Sequence, residues 1–227
     1  MTATHEDSAA SRRAALEREE LSLGRLEAFS DGVFAIAITL LVLELGVSAD
    51  ARDHLLSSIL HEWPSYLAYF TSFLTIGGIW LQHSAITTSL RAADATLYRL
   101  NLLVLLFVSF IPFPTKLVAE FFGDRGPERV AVVFYGLTVL ALAISLTAFV
   151  RYAAEHRRLV ADDVEAHVVE AALTHQPSFA LYLIGIGLGV VFPTVAVVVY
   201  LLTAIYLGIP LRTLRRLLHR PAVTPEG

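Results

Sequence analysis

Long apolar runs, separated by short polar segments, dominate the chain from about residue 28 onward. A helix of roughly 20 apolar residues is long enough to cross the hydrocarbon core of a bilayer. The pattern predicts six membrane-spanning helices, at 28–47, 64–86, 97–116, 129–150, 173–192 and 194–211. The last two are separated only by FPT, where proline is expected to end one helix and begin the next. The two prolines of FIPFPTK, residues 110–116, are expected to bend or end the third helix.

Composition places the chain among membrane proteins. Hydrophobic residues make up 56% of the chain, charged residues make up 17%, and the mean hydropathy is +0.63. Because the sequence has no cysteine, it excludes a disulfide, a thiolate metal site and a cysteine nucleophile. The net charge is -4 and no block of Lys and Arg comparable to a nucleic-acid-binding arm occurs, so we expect no nucleic-acid partner. The expected surroundings are a lipid bilayer.

Lys and Arg are concentrated in alternate connecting segments: the N-terminal tail, the second loop, the fourth loop and the C-terminal tail. Positively charged loops are retained on the cytoplasmic side, so both termini are expected to be cytoplasmic. The first segment mixes both signs of charge and lacks the apolar core of a signal peptide. The expected division is a cytoplasmic tail at 1–24, a six-helix transmembrane domain at 25–211 and a cytoplasmic tail at 212–227.

The first apolar run, RLEAFSDGVFAIAITLLVLEL, contains an apolar stripe. At about 100° per residue, Phe29, Leu40 and Leu43 all lie within about 40° of Ile36. Thr39 lies at the edge of this stripe. Apolar residues at such a spacing ordinarily pack against other helices. The alternative interpretation is that the stripe lines a pore.

Asp31 lies about 140° around the same helix from Ile36, so the acid and the stripe cannot face one cavity. An ionisable group near a membrane is costly unless it is paired. The predicted orientation places Ser30 and Asp31 level with Trp80 and His83, and with Asn101 at the start of the third helix. The cluster is either a proton or ion relay or a brace between helices. Because Asp31 is turned away from the stripe, we favour the brace.

Motifs for enzymatic chemistry are missing from the sequence. It has no nucleophile elbow, HExxH, P-loop or dinucleotide-binding glycine motif, so we expect neither an enzyme nor a cofactor. TIGGIW, residues 75–80, partly resembles a carbonyl selectivity filter but lies inside a continuous apolar span. Gly77 and Gly78 are therefore expected to permit close helix packing. The acids and histidines of the fourth loop are more typical of a solvated face than of a metal site.

The first run resembles the R-x-x-x-F-S-D first helix of the transmembrane protein 175 family of potassium channels. The resemblance continues in GGIWLQHSAI and in RLNLLVLLFVSFIPFPTKL, and so covers the first three helices. The residues that carry it are Arg25, Phe29, Ser30, Asp31, Trp80, His83 and Asn101. In this family these positions are implied to hold the first helix in place.

The resemblance implies a homotetrameric, potassium-selective channel of leak type in a prokaryotic plasma membrane, with K⁺ as the permeant ion and no cofactor. The first helices are implied to line a central pore. The family's hydrophobic constriction falls on Ile36, Leu40 and Leu43, and a hydroxyl implicated in potassium preference falls on Thr39. One alternative is a proton-coupled secondary transporter that uses Asp31 and His83, although the sequence lacks paired interrupted helices. A membrane scaffold without transport is another.

Overall fold

The computed structural model describes residues 23–46, 54–160 and 177–208. Within these residues the chain is helical, with one isolated bridge between Leu90 and Val160. The first helix, α1, covers residues 23–40 and continues into a 3₁₀ turn at Leu41–Glu44. The others are α2 (Leu55–His61), α3 (Trp63–Thr87), α4 (Ala95–Phe110), α5 (Pro112–Glu120), α6 (Arg125–Glu155), α7 (Pro177–Val191) and α8 (Pro193–Gly208).

Three helical stretches in the described residues are long and apolar enough to cross a membrane: Leu23–Glu44, Ala95–Glu120 and Gly126–Glu155. Two shorter apolar helices follow, Phe179–Val191 and Pro193–Gly208. Each of the six runs predicted from the sequence falls on a described helix or, for the third run, on the α4–α5 pair. Residue 47 of the first run, the ends of the fifth and sixth runs at 173–176 and 209–211, residues 1–22 of the predicted N-terminal tail and the predicted C-terminal tail at 212–227 lie outside the described residues. The short helix α2 was not predicted.

Proline sets two of the helix boundaries, as predicted. α4 ends at Phe110 and α5 begins at Pro112, while α7 ends at Val191 and α8 begins at Pro193. Proline has no N–H group and its ring clashes with the preceding turn, so it stops a helix. In a first turn that N–H would be unpaired anyway, so proline can begin the next helix there.

α3 packs most extensively against α8, α6 packs against α4 and α7, and α5 lies between α3 and α6. Buried hydroxyl groups connect α3, α5 and α6 in the middle of the bundle. The hydroxyl groups of Ser72 on α3 and Thr115 on α5 are 2.7 Å apart. Ser72 Oγ also donates to the Tyr135 hydroxyl of α6 at 3.2 Å. Hydrogen bonds between polar side chains stabilise the packing of apolar helices in this way.

Small residues permit close packing at the contact between α3 and α8. A Cβ added at Gly78 would lie 3.1 Å from Leu207 Cβ, whereas one added at Gly77 would meet no atom within 4 Å. The predicted close packing is therefore confirmed for Gly78, whereas Gly77 has no such contact within its own subunit. The TIGGIW segment is continuous α-helix inside α3, so its carbonyl groups serve the helix.

The start of α4 is tied to the end of α6 through Asp94. Asp94 Oδ1 accepts from the backbone N–H groups of Thr96 and Leu97 at 3.1 and 3.0 Å, which caps α4. Its Oδ2 accepts from the Tyr152 hydroxyl at 2.8 Å and from Arg158 Nη2 at 3.0 Å. Bonds from Leu97 and Tyr152, with Arg158 beside them, hold the pKa of Asp94 below its ordinary value. This cap fixes α4 about two turns before Asn101.

Candidate functional site

α1 buries one face in the subunit and exposes the opposite one. Its buried residues follow the spacing of a single helical face: Leu26, Ser30, Phe34, Ala37 and Leu41. The predicted apolar stripe lies on the other side, where Ile36 is 60%, Leu40 is 40% and Leu43 is 73% exposed. The stripe therefore takes no part in the core of its own subunit. Arg25 and Phe29 are exposed as well.

Next to the stripe, the exposed side of α1 carries a row of small residues. These are Gly24, Ala28, Gly32 and Ala35. A Cβ added at Gly32 would meet no atom within 4 Å, so the space beside it is open. Thr39 is also exposed, and its hydroxyl donates to the carbonyls of Ala35 and Ile36 at 3.0 and 2.9 Å. Small residues in a membrane helix let a second helix approach closely.

On the buried face, a chain of hydrogen bonds joins α1 to α3 and α4. His83 Nε2 and Asn101 Oδ1 are 2.7 Å apart, and because an amide oxygen only accepts, the imidazole donates. Asn101 Nδ2 donates to Ser30 Oγ at 3.0 Å, and Ser30 Oγ donates to the carbonyl of Leu26 at 2.8 Å. His83, Asn101 and Ser30 are all buried. An imidazole N–H, a carboxamide, a hydroxyl and a backbone carbonyl supply the donors and acceptors of this chain.

The His83 ring is held between two aromatic rings. It stacks on Phe149 of α6 at a centroid distance of 5.3 Å and an angle of 18°. Phe34 of α1 packs against it at 5.4 Å and 49°. The sequence interpretation missed both aromatic residues. Phe34 could have been found, since it lies one turn beyond Ser30 on the same face, but nothing in the sequence pairs Phe149 with His83.

Asp31 makes a separate contact with α3. Trp80 Nε1 donates to Asp31 Oδ1 at 2.8 Å, and both side chains are exposed. The residues expected in one layer thus divide into two groups: the buried chain of Ser30, Asn101 and His83, and the exposed Asp31–Trp80 bond. Asp31 and His83 bond to different partners.

The other end of α1 is held differently. Leu41 is fully buried against its neighbours, and the 3₁₀ turn that it begins packs on α3 and α5. Glu44 Oε2 lies 3.6 Å from Lys116 Nζ of α5. Between these two anchors, Leu43 is the most exposed residue of the stripe. The sequence interpretation missed this ion pair because the position of α5 depends on the tertiary fold.

α1 presents an exposed apolar face rather than a set of reactive groups. Its buried face and both of its ends contact other helices of the subunit. Among the described residues, no group of three or more His, Cys, Asp or Glu side chains is placed to hold a metal ion. Most of the acidic and histidine-rich fourth loop, at 161–176, lies outside those residues.

The fold and this face define a helical membrane protein. Residues 25–112 match the profile of the family described as "Endosomal/lysosomal potassium channel TMEM175". The chain is 41% identical over 196 residues to "Potassium channel Cha6605_3372" of Chamaesiphon minutus, with 84% of this chain and 96% of that protein covered. It is 38% identical over 190 residues to "Potassium channel B446_29190" of Streptomyces collinus, with 82% and 91% covered. The chain belongs to the TMEM175 family.

A solved structure supports the same assignment. The crystal structure of a lysosomal potassium-selective channel TMEM175 homolog from Chamaesiphon minutus matches this fold with a TM-score of 0.74 and 38% sequence identity. The match covers 85% of this chain and 98% of that chain.

Proposed function

We propose that this chain is the subunit of a potassium-selective cation channel of leak type. The observation that carries the proposal is the exposed stripe of Ile36, Leu40 and Leu43, on a helix whose opposite face is packed in the subunit core. Full-length relatives from two bacteria are named potassium channels. An exposed apolar stripe on a membrane helix can face lipid or a second copy of the chain, and around a common axis it would form a constriction.

The proposed channel is a homotetramer in a prokaryotic plasma membrane. Each subunit crosses the bilayer six times within residues 25–211, with the tails 1–24 and 212–227 in the cytoplasm. The exposed small residues of α1 support self-association, because they allow α1 of a second copy to approach closely. Four copies of the stripe around an axis give rings of isoleucine and leucine, and such apolar rings can gate by dewetting.

Thr39 is proposed as a lesser selectivity contact, because its exposed hydroxyl lies at the edge of the stripe. Ser30, Asp31, Trp80, His83 and Asn101 are proposed to brace α1 rather than to carry protons. The hydrogen-bond chain supports this role, since it passes through a carboxamide, whose nitrogen does not release a proton at ordinary pH. Arg25 and Phe29 are proposed to support the same end of α1.

The test replaces the stripe with polar side chains. Ile36→Asn and Leu40→Asn should wet the constriction, and so raise K⁺ conductance or lower K⁺ over Na⁺ selectivity in liposomes. Leu106→Asn is the matched control, because Leu106 is 59% exposed but lies on α4. Unchanged ion flux in both stripe variants, with tetramer yield intact, would remove the pore assignment.

A proton-coupled transporter that uses Asp31 and His83 is less well supported, because these residues bond to Trp80 and Asn101 rather than to each other. K⁺ flux that depends on an imposed proton gradient would favour it. Flux down the K⁺ gradient alone favours the channel.

A further inference from the structure

The proline-containing motif FIPFPTK breaks the third apolar run at Ile111, between α4 and α5. Two successive residues of α5 then contact different helices. Thr115 Oγ1 lies 2.7 Å from Ser72 Oγ of α3, in the buried hydroxyl cluster that includes Tyr135. Lys116 Nζ lies 3.6 Å from Glu44 Oε2, at the end of α1. α5 therefore connects the end of α1 to the buried middle of the bundle.

From this connection we infer that Lys116 and Glu44 are positioning residues that set the radius of the pore at Leu43. The inference rests on the proposed function, because it takes Leu43 to be the last ring of the constriction. Glu44 directly follows Leu43, and both lie in the same 3₁₀ turn. A shift of that turn toward or away from α5 therefore moves Leu43 as well.

Two contacts hold the 3₁₀ turn: the burial of Leu41 against its neighbours and the ion pair between Glu44 and Lys116. Leu41 is the buried residue of the 3₁₀ turn. After it the chain leaves the helix, since Leu45 has an extended backbone with φ -84° and ψ 105°. The Lys116 side chain is 56% exposed and that of Glu44 is 25% exposed. Salt screens charges that are this exposed, so the ion pair stabilises the position of the turn only weakly.

The main experiment compares charge removal with charge exchange in liposomes that contain the full-length protein. Glu44→Gln and Lys116→Met should each change the ratio of K⁺ to Na⁺ flux by about twofold to fivefold, the range expected for an exposed ion pair. The exchange Glu44→Lys with Lys116→Glu should restore the ratio, because the attraction returns with its signs reversed. Arg129→Met and Glu120→Gln are the controls, a cation of α6 and an acid of α5 respectively.

If the flux ratio of the charge-exchange double variant depended only on the sign of the charge at residue 44, the inference would be overturned. Glu44 would then act directly on the permeating ion through its charge, rather than through Lys116. A second measurement does not depend on how that variant folds. Raising ionic strength with an impermeant salt at constant K⁺ should shift the unmodified protein toward the Lys116→Met ratio and leave Lys116→Met unchanged. An equal shift in both proteins would contradict the inference.

Failure of the inference and failure of the proposed function are distinguishable. If Ile36→Asn changes the flux ratio and the ion-pair variants do not, the assignment of the pore to α1 is supported. The positioning role of Lys116 is then contradicted. If Ile36→Asn and Leu40→Asn also have no effect, the proposed function is lost, and with it the inference.

Discussion

The two ends of α1 are held by opposite kinds of interaction. At its N-terminal end, Ser30 joins a buried chain of hydrogen bonds through Asn101 to His83. At its C-terminal end, Leu41 is buried, and beyond it a partly exposed ion pair joins Glu44 to Lys116. Leaving a buried polar group unpaired costs about 1–3 kcal/mol, whereas an exposed ion pair contributes about 0–1 kcal/mol. The comparison indicates one end that is fixed and one that can be adjusted.

Removing Asn101 should have the largest effect. Asn101→Ala leaves the His83 N–H without its acceptor and removes the donor to Ser30, so unfolding should become easier by about 1–3 kcal/mol. Thermal unfolding in detergent and tetramer yield measure the change. Ser109→Ala is the control on the same helix, because Ser109 is exposed and its hydroxyl donates to the Leu106 carbonyl of α4. Equal stability of the two variants would show that the N-terminal end is not held by this chain.

The exposed bond at the same end should matter less. Asp31→Ala and Trp80→Phe each remove one partner of a single hydrogen bond, with an expected cost of about 0.5–1.5 kcal/mol. Because both variants break the same bond, the double variant should cost less than the sum of the two. The measurements are again tetramer yield and melting temperature. If Asp31→Ala left assembly intact and changed only the pH dependence of flux, Asp31 would belong to a relay.

The helices and their approximate limits could be predicted from the sequence, because apolar runs and prolines are local signals. The stripe of Ile36, Leu40 and Leu43 could also be assigned to one side of α1 from helical periodicity alone. Its exposure could not, since periodicity does not say which side of a helix the rest of the chain covers. The bonding partners of Asp31 and His83 could not be predicted for a similar reason: the sequence indicates a common depth for both residues but not which side chain each one meets.

Contacts that depend on how distant helices are arranged had no signal in the sequence. Phe149 reaches His83 because α6 contacts α3, and Lys116 reaches Glu44 because α5 packs against the 3₁₀ turn at the end of α1. The sequence placed Lys116 at the end of a single third span, where it counted as a loop charge. The break at Pro112 was predicted, but the partners of Thr115 and Lys116 after it were not.

The smallest expected effect is a difference between the two ends of α1 in their response to salt. Going from about 0.1 M to about 1 M ionic strength shortens the Debye length from about 10 Å to about 3 Å, which weakens exposed ion pairs far more than buried neutral hydrogen bonds. Hydrogen exchange of backbone amides should therefore speed up at residues 41–45 and stay constant at residues 30–37. In Lys116→Met, exchange at residues 41–45 should already be fast and should no longer respond to salt. Equal acceleration at both ends would mean that salt acts on α1 as a whole, and the contrast between a fixed end and an adjustable end would fail.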